Sequence, residues 1–183
     1  MQFQFFRKVL TTMGLLSVLA GLVGCDPPRI AELEEGVATE ADVRARFGEP
    51  EKVWNAADMG KLPMPGATAV TGARTFEYNR QPAGNVNYMI TIGPDGKMSA
   101  LRQVLNSANF ASVLPGMPME TVRKILGRPM KITPYALQQT THYDWRYLSP
   151  PNVNMVFSVV FDRDLRVVST GSVLEETIKP AGG

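Results

Sequence analysis

One short pattern occurs twice in this chain of 183 residues, and that repeat constrains the fold more than any other feature. Each copy runs from a glycine through a Val-Arg pair to a second glycine, with proline two residues further on. The shared positions are Gly36, Val43, Arg44, Phe47, Gly48 and Pro50 in the first copy, and Gly116, Val122, Arg123, Leu126, Gly127 and Pro129 in the second. Such a copy is usually one supersecondary unit that buries its apolar face against its neighbour.

The N-terminus has the layout of an export signal. Arg7 and Lys8 supply a positive region, and the apolar stretch that follows ends at Gly24. This stretch is shorter than the about 20 predominantly apolar residues that a spanning helix needs. We therefore predict that residues 1–24 are a lipoprotein signal peptide that is removed from the mature chain.

Cys25 is the only cysteine, so an internal disulfide is excluded. Leu22-Val23-Gly24-Cys25 resembles the lipobox of bacterial lipoproteins. The resemblance implies lipid attachment at Cys25, with residues 25–29 as a lipidated tether and acyl chains as the membrane anchor. Asp26 resembles the inner-membrane retention signal of enteric bacteria, so both envelope membranes remain open at this point.

The balance of charge argues against nucleic acid as a partner. The chain has 19 basic and 17 acidic residues, and two of the basic ones lie in the predicted signal peptide. The exported part is therefore close to neutral, whereas a nucleic-acid-binding domain gathers an excess of Lys and Arg on one face.

Each copy predicts a short helix followed by strands. In the first, Thr39 with Asp42 predicts a capped helix start, and Gly48 predicts its end. In the second, Val122, Ile125 and Leu126 share one helix face, opposite Arg123 and Lys124. A further short helix is predicted over residues 29–35, and Asn55 to Ala73, rich in Gly, Pro and Ala, is predicted to be a mobile loop.

Alternating apolar residues predict the strands. They are Val86, Tyr88, Ile90 and Ile92 in the first copy, and Val153, Met155, Phe157, Val159 and Phe161 in the second. Turns are predicted at 94–97 and 162–164. On the opposite face of the strand in the second copy, Val156 and Val160 predict that this strand is covered on both sides. In the first copy, Asn87, Met89 and Thr91 predict that the corresponding face is open, either solvated or used for recognition.

The fold class expected from these patterns is α+β, a tandem repeat of short helices followed by an antiparallel β-meander. The first repeat is placed at residues 30–110, with the loop 55–73, and the second at 111–176. Residues 177–183 lack an apolar pattern and are predicted to be a flexible tail.

A longer series of residues in the second copy follows a recognisable order. It consists of Leu114-Pro115-Gly116-Met117, Glu120-Thr121-Val122, Leu126-Gly127-Arg128-Pro129, Trp145-Arg146-Tyr147, and Phe157 to Phe161 with Asp162. This order resembles the SmpA/OmlA family of BamE-like lipoproteins, although Leu165 or Asp164 stands near the glycine expected in the last hairpin. Two such units also resemble the secreted β-lactamase-inhibitory proteins, which form a concave binding face.

The resemblance implies a set of motif residues in both copies. They are Gly116, Met117, Val122, Leu126, Gly127, Pro129, Trp145, Tyr147, Phe161 and Asp162, with Gly36, Val43, Phe47, Gly48, Pro50, Phe76 and Tyr78 as first-copy counterparts. We interpret the glycines and prolines as helix punctuation and the aromatic residues as core. Trp145 is expected to be buried against the helix that carries Val122 and Leu126.

The residues offer little for catalysis. His142 is the only histidine, and with Cys25 assigned to lipid there is no His/Cys cluster to hold zinc. Asp162 and Asp164 fall in a turn, where aspartate commonly bonds the backbone. We therefore predict no enzyme activity, no metal site, no cofactor and no small-molecule substrate.

The family resemblance implies a periplasm-facing, lipid-anchored accessory of outer-membrane β-barrel assembly and envelope integrity. The expected partners of the protein are components of the β-barrel assembly machinery. The resemblance favours the outer membrane as its location. The alternative is an envelope protein-binding or inhibitor module that uses the concave face of its two repeats.

Overall fold

Two four-stranded antiparallel sheets and a few short helices make this an α+β fold. The computed structural model describes residues 30–60, 62 and 70–177. The predicted signal peptide, Cys25 with its tether, and residues 178–183 lie outside the described residues. The chain divides into two units, 1–32 and 33–183. Both sheets and the helices between Glu40 and Leu126 lie in the second unit.

The helices are α1 (Glu40–Phe47), α2 (Ala56–Met59), α3 (Ser107–Ala111) and α4 (Met119–Leu126). The strands are β1 (Lys52–Asn55), β2 (Arg74–Asn79), β3 (Asn87–Ile92), β4 (Met98–Gln103), β5 (Lys131–Tyr135), β6 (Thr140–Ser149), β7 (Val153–Phe161) and β8 (Val167–Leu174), and a 3-10 helix follows at Glu175–Thr177. The first sheet has the strand order β1-β2-β3-β4 and the second β5-β6-β7-β8. We call the part of the chain from α1 to β4 the first half and the part from the end of β4 to the 3-10 helix, with α3 and α4, the second half.

The helices predicted around Val43 and Val122 end where their sequences indicate, and α1 also begins at its predicted cap. The Thr39 hydroxyl accepts a hydrogen bond from the N–H of Asp42, whose carboxylate accepts from the N–H of Thr39, forming a capping box. Gly48 ends α1 and Gly127 ends α4, at φ of 82° and 75°. Their ψ values near 180° place both residues in a region that is essentially restricted to glycine.

The predicted turns are also present. Gly93 and Lys97 close the turn between β3 and β4, with Gly96 at a φ of 77°. In the turn between β7 and β8, Leu165 adopts a φ of 54°, so a branched residue takes the left-handed position that glycine fills in the first half.

The core of the first half lies between α1 and one face of the first sheet. Val43 and Phe47 of α1 are buried, and the Phe47 ring lies 5.0 Å from Tyr78 and 5.4 Å from Tyr88. Phe76 and Ile90 are fully buried in the same half.

A larger core fills the second half. It is formed by Leu105, Phe110, Val113, Val122, Ile125, Leu126, Trp145, Phe157, Val159, Phe161 and Val167. The Phe110 ring stacks on Phe157 with centroids 4.3 Å apart, so α3 closes one side of this core.

Helix α4 contacts both sheets. Its apolar face belongs to the core of the second half, as the sequence predicts. On its polar face, Arg123 bonds Glu77 of β2, and the Lys124 ammonium lies 5.1 Å from the Trp54 ring centroid. The helix is therefore packed between the second sheet and the outer face of the first.

This packing corrects the predicted open face of the first sheet. Asn87 is 0% exposed and Met89 is 5% exposed, because the end of α4 lies against this side of β3. The corresponding prediction for the second sheet is confirmed at Val156, which is fully buried.

Several short elements differ from the sequence prediction. Within the predicted mobile loop 55–73, β1 ends at Asn55 and residues 56–59 form α2, while 61 and 63–69 lie outside the described residues. Residues 31–35 form turns and coil instead of a helix. Helix α3 spans the predicted repeat boundary at 110/111. At the predicted tail, Thr177 closes the 3-10 helix with a bond to Leu174.

Candidate interaction surface

The motif residues of the second half meet in its core and at its helix ends. Gly116 donates its N–H to the carbonyl of Val167 at 2.7 Å, which fastens the segment before α4 to the start of β8. Trp145 is 1% exposed and donates its indole N–H to the carbonyl of Gly127 at 3.1 Å. The expected burial of Trp145 against α4 is therefore confirmed.

The remaining motif residues of this half also have structural roles. Val122, Leu126 and Phe161 are fully buried, and Met117 and Tyr147 pack partly buried against the same core. Pro129 is half-buried just beyond the end of α4. The Asp162 carboxylate accepts backbone N–H bonds from Asp164 and Arg166 at 2.9 Å and so holds the β7–β8 turn.

The first-half counterparts are arranged in the same manner. Gly36 donates its N–H to the carbonyl of Met98 at 2.7 Å, and Val43 and Phe76 are fully buried. Tyr78 donates its hydroxyl to the carbonyl of Gly48 at 3.0 Å, and burial raises the pKa of Tyr78. Pro50 follows Gly48 and is half-buried.

Sequence reasoning missed a buried carboxylate where the two halves meet. Glu77 is 0% exposed and accepts hydrogen bonds from Trp54 at 3.1 Å, Asn79 at 2.9 Å and Arg123 at 3.2 Å. Burying a charge costs free energy unless the charge is paired and hydrogen-bonded. Glu77 therefore needs Arg123, and this pair holds the first sheet against the polar side of α4.

Two asparagines of the first sheet bind the end of α4. The Asn87 side-chain amide donates to the carbonyls of Leu126 at 2.8 Å and Arg128 at 3.0 Å, and the Asn79 oxygen accepts from the N–H of Arg128 at 2.9 Å. A Cβ on Gly127 would lie 2.6 Å from the Asn79 oxygen. The close approach therefore requires glycine at position 127.

A further side chain joins the halves at the edge of the second sheet. Gln81 donates to the carbonyl of Arg146 at 2.7 Å and accepts from its N–H at 3.3 Å, in the part of β6 that lies beyond its pairing with β5. The Arg146 guanidinium donates to the carbonyl of Pro82 and pairs with Glu175.

Apolar side chains project from the hairpin between β5 and β6. Leu137 is 97% exposed, Ile132 52% and Tyr135 41%. Tyr135 and Leu137 lie next to the turn, and we call these two residues the β5–β6 tip, whereas Ile132 pairs with Tyr143 further along the strand. The hairpin is held by five cross-strand pairs and by the bond from Gln139 N–H to the carbonyl of Ala136. Exposed aromatic and aliphatic side chains on a fixed hairpin are suited to insertion into a partner's pocket.

The β5–β6 tip is not among the residues predicted from the sequence. The available signal was the run Pro134-Tyr135-Ala136-Leu137, in which apolar residues continue into a turn where polar residues are usual. His142 of β6 lies next to this tip, and its ring centroid is 4.4 Å from that of Tyr135.

The described residues offer few titratable groups that converge on a cavity. A cavity of about 800 Å³ is lined by Asn55, Ala56, Ala57, Gly60, Thr71, Gly72, Ala73 and Arg74. Arg74 is paired with Glu40 at 2.5 Å. No group of three His, Cys, Asp or Glu side chains suited to a metal ion occurs in the described part of the chain.

None of the helices among the described residues has the length and apolar character that crossing a membrane requires. No family model and no curated protein matches the chain. Among solved structures, it is similar to YjgB, a DUF4309 family protein from Bacillus subtilis subsp. subtilis str. 168. The identity is 20%, the match covers 79% of this chain and 83% of that chain, and the TM-score is 0.27.

Proposed function

We propose that this chain is a lipid-anchored, periplasm-facing accessory protein that binds other envelope proteins and performs no catalysis. The partners that we propose are components of the outer-membrane β-barrel assembly machinery, with the outer membrane as the location. The lipobox-like residues that end at Cys25 support the anchor, and the resemblance of the second half to the SmpA/OmlA family supports the assembly role.

The proposal includes a tandem arrangement of two BamE-like units. It is supported by equivalent bonds in the two halves: Gly36 to Met98 and Gly116 to Val167 before the helices, and Tyr78 to Gly48 and Trp145 to Gly127 after them. Each half also has a register shift in the pairing of its last two strands.

The observation that carries the binding role is the β5–β6 tip. Leu137 is almost fully exposed, so its side chain contributes little to the stability of the isolated chain. Burial of a Leu or Tyr side chain in a partner would recover about 25 cal/mol for each Å² of apolar surface removed from water. Anchoring in the same membrane as the partner raises the effective concentration, so a small contact can suffice.

A deletion strain complemented with variants tests this proposal. We expect deletion to sensitise cells to large or detergent-like compounds and to lower the amount of folded barrel proteins without stopping growth. Wild type and Leu114→Asp should restore both properties, because Leu114 is 55% exposed but lies outside the tip. Leu137→Asp should fold and reach the membrane yet fail to restore them.

Intact permeability and normal barrel levels in the deletion strain would overturn the assembly role. In that case, tip-dependent binding to a different envelope protein would support the alternative, a binding or inhibitor module.

A further inference from the structure

Three of the four edge strands of the two sheets carry features that obstruct pairing with another chain. β1 has only four residues and begins with Lys52. β5 contains Lys131 and Pro134. On β4, the Glu35 carboxylate accepts the outward N–H of Leu101 at 2.9 Å and pairs with Arg102. Short length, lysine, proline and covering groups are the usual means of blocking an open edge.

The fourth edge strand, β8, has none of these features beyond its first residue. Val167 is covered by the segment Gly116-Met117, with which it exchanges backbone bonds. Residues 168–174 read Val-Ser-Thr-Gly-Ser-Val-Leu, without charge or proline, and all seven are exposed. Pro115 stands before Gly116 where Glu35 stands before Gly36, so the carboxylate that covers β4 has no counterpart here.

The ladder fixes which backbone groups of β8 face outward. Thr170 of β8 pairs with Val159 of β7 in the same register in which Leu101 of β4 pairs with Ile90 of β3. The N–H of Leu101 points away from its sheet and donates to Glu35. By the same alternation, Thr170 and Ser172 present their N–H and C=O groups at the free edge. An unpaired edge of this kind is a template for strand addition.

We propose that this edge pairs with β8 of a second copy of the same chain, antiparallel about a two-fold axis at Gly171. In that register, Thr170 lies opposite Ser172 of the second copy, and Val168 lies opposite its Leu174. The outward groups of Thr170 and Ser172 then bond one another in both directions. The two four-stranded sheets become one sheet of eight strands with an isologous interface.

Two observations favour a second copy over an extended segment of another protein. First, the free stretch has apolar residues toward its ends and Thr170 and Ser172 on either side of Gly171, so its own sequence complements it. Second, the stretch is bounded by Gly116-Met117 at Val167 and by the 3-10 helix that begins at Glu175, so a pairing centred on Gly171 uses its whole length, residues 168–174.

Gly171 also suits the position on the axis. It would form a pair without backbone hydrogen bonds, in which Cα atoms approach to about 4.5 Å. A Cβ placed on Gly171 meets no atom within 4 Å in the single chain, so cysteine is tolerated there. That separation lies within the range of about 4.4–6.8 Å that a disulfide spans.

Cysteine cross-linking of the full-length chain, extracted in detergent, tests the pairing. We expect Gly171→Cys to form covalent dimers rapidly under mild oxidation, well above the wild type, whose single cysteine is the proposed lipid attachment site. Ser99→Cys is the matched control, because Ser99 is exposed on the covered edge strand β4. Adding Thr170→Lys to Gly171→Cys should abolish the cross-link while leaving the melting temperature unchanged, since Thr170 is exposed.

Light scattering supplies the measurement without an added cysteine. Wild type should approach twice the monomer mass as its concentration rises, and Thr170→Lys should remain monomeric. Equal cross-linking at positions 171 and 99, or a wild-type mass that stays monomeric at all concentrations, would overturn the proposal. A cross-link from position 171 to a different envelope protein would also overturn it and assign the edge to strand addition by that protein.

Discussion

Trp145 and Tyr78 have the same task in the two halves. Each lies in the second strand of its sheet and donates a side-chain hydrogen bond to the carbonyl of the glycine that ends the helix before it. The ring fills the core while its polar atom satisfies a helix-end carbonyl that has no intrahelical donor. This bond fixes the orientation of the helix relative to the sheet, whereas apolar contacts alone would allow more than one orientation.

Trp145→Ala should therefore lower the free energy of unfolding by about 3–5 kcal/mol, the typical cost of emptying a buried tryptophan site. Trp145→Phe should cost less, because it keeps most of the packing and loses the bond to Gly127. Denaturant unfolding monitored by circular dichroism measures both. An unchanged midpoint for Trp145→Ala would contradict the burial and the bond.

Gly127 and Gly48 form a matched pair for a second prediction. Both have glycine-only backbone angles, so alanine at either position strains the chain by roughly 1–3 kcal/mol. At Gly127 the new Cβ also meets the Asn79 oxygen at 2.6 Å and the Asn87 nitrogen at 2.9 Å, whereas at Gly48 it meets nothing within 4 Å. Gly127→Ala should lower the melting temperature more than Gly48→Ala, and equal losses would argue against the close approach.

The residues that join the halves could not be identified from the sequence. Glu77 and Asn87 read as solvent-facing positions of alternating strands, because their partners are far along the chain: Arg123 is 46 residues from Glu77. The glycines, the capping pair and the core aromatics could be predicted because their patterns are local. Burial of a polar residue depends on which element packs over it.

At the scale of elements, α4 is stabilised from both sides. Its apolar face follows a clear helical period and was predictable. The sequence places Arg123 and Lys124 on the opposite face, and the first sheet supplies Glu77 to Arg123 and the Trp54 ring to Lys124. This pairing accounts for a charged helix face that is half-buried between two sheets.

Arg123→Ala should destabilise the chain strongly, because it removes the cation beside a fully buried carboxylate. Breaking one partner of a buried pair typically costs about 3–5 kcal/mol, and the remaining donors Trp54 and Asn79 place the expected value near the lower end. The double variant Glu77→Gln/Arg123→Met should recover much of the loss. A double variant as unstable as Arg123→Ala would contradict the role of the uncompensated charge.

Acid should weaken the packing around α1. Burial acts to raise the pKa of Glu40, but its bonds to Arg44 and Arg74 outweigh burial and lower it. The backbone bond from Leu101 lowers the pKa of Glu35, despite some burial, and Arg102 adds to the effect. A carboxylate with a lowered folded-state pKa contributes stability above its unfolded pKa of about 4.3 and loses it as pH falls through the folded value.

Thermal unfolding between pH 7 and pH 3 should therefore show stability decreasing below about pH 5. Glu40→Gln should flatten this dependence, since its amide does not titrate. The substitution Glu176→Gln is a suitable control, because Glu176 is exposed at the end of the chain's last described element. An unchanged acid dependence in Glu40→Gln would contradict the assignment.

The elements that the sequence did not predict are the shortest ones. β1 and α2 have four residues each and α3 has five, too few for a period to emerge. α3 is nevertheless fixed by Asn106 at its start and by the burial of Phe110 in the core of the second half. Tertiary packing, more than local propensity, decides such short helices.

At the scale of the whole molecule, the repeated pattern predicted two helix-and-strand halves but not how they are joined. Polar contacts between the halves include the Glu77–Arg123 pair, the Asn87 amide at the end of α4, and the Gln81 amide on β6. Bonds of this kind depend on geometry more than on buried area. None of these three contacts involves the β5–β6 tip, which is exposed.

The most direct test of the proposed function places a photo-crosslinking benzoylphenylalanine at Leu137 of the full-length lipoprotein in living cells. We predict a light-dependent adduct with a component of the β-barrel assembly machinery, identified by mass spectrometry. The same group at Leu114, which is also exposed but lies outside the tip, should give no such adduct. Equal labelling from the two positions, or the absence of any barrel-assembly component among the adducts from position 137, would contradict the proposed function.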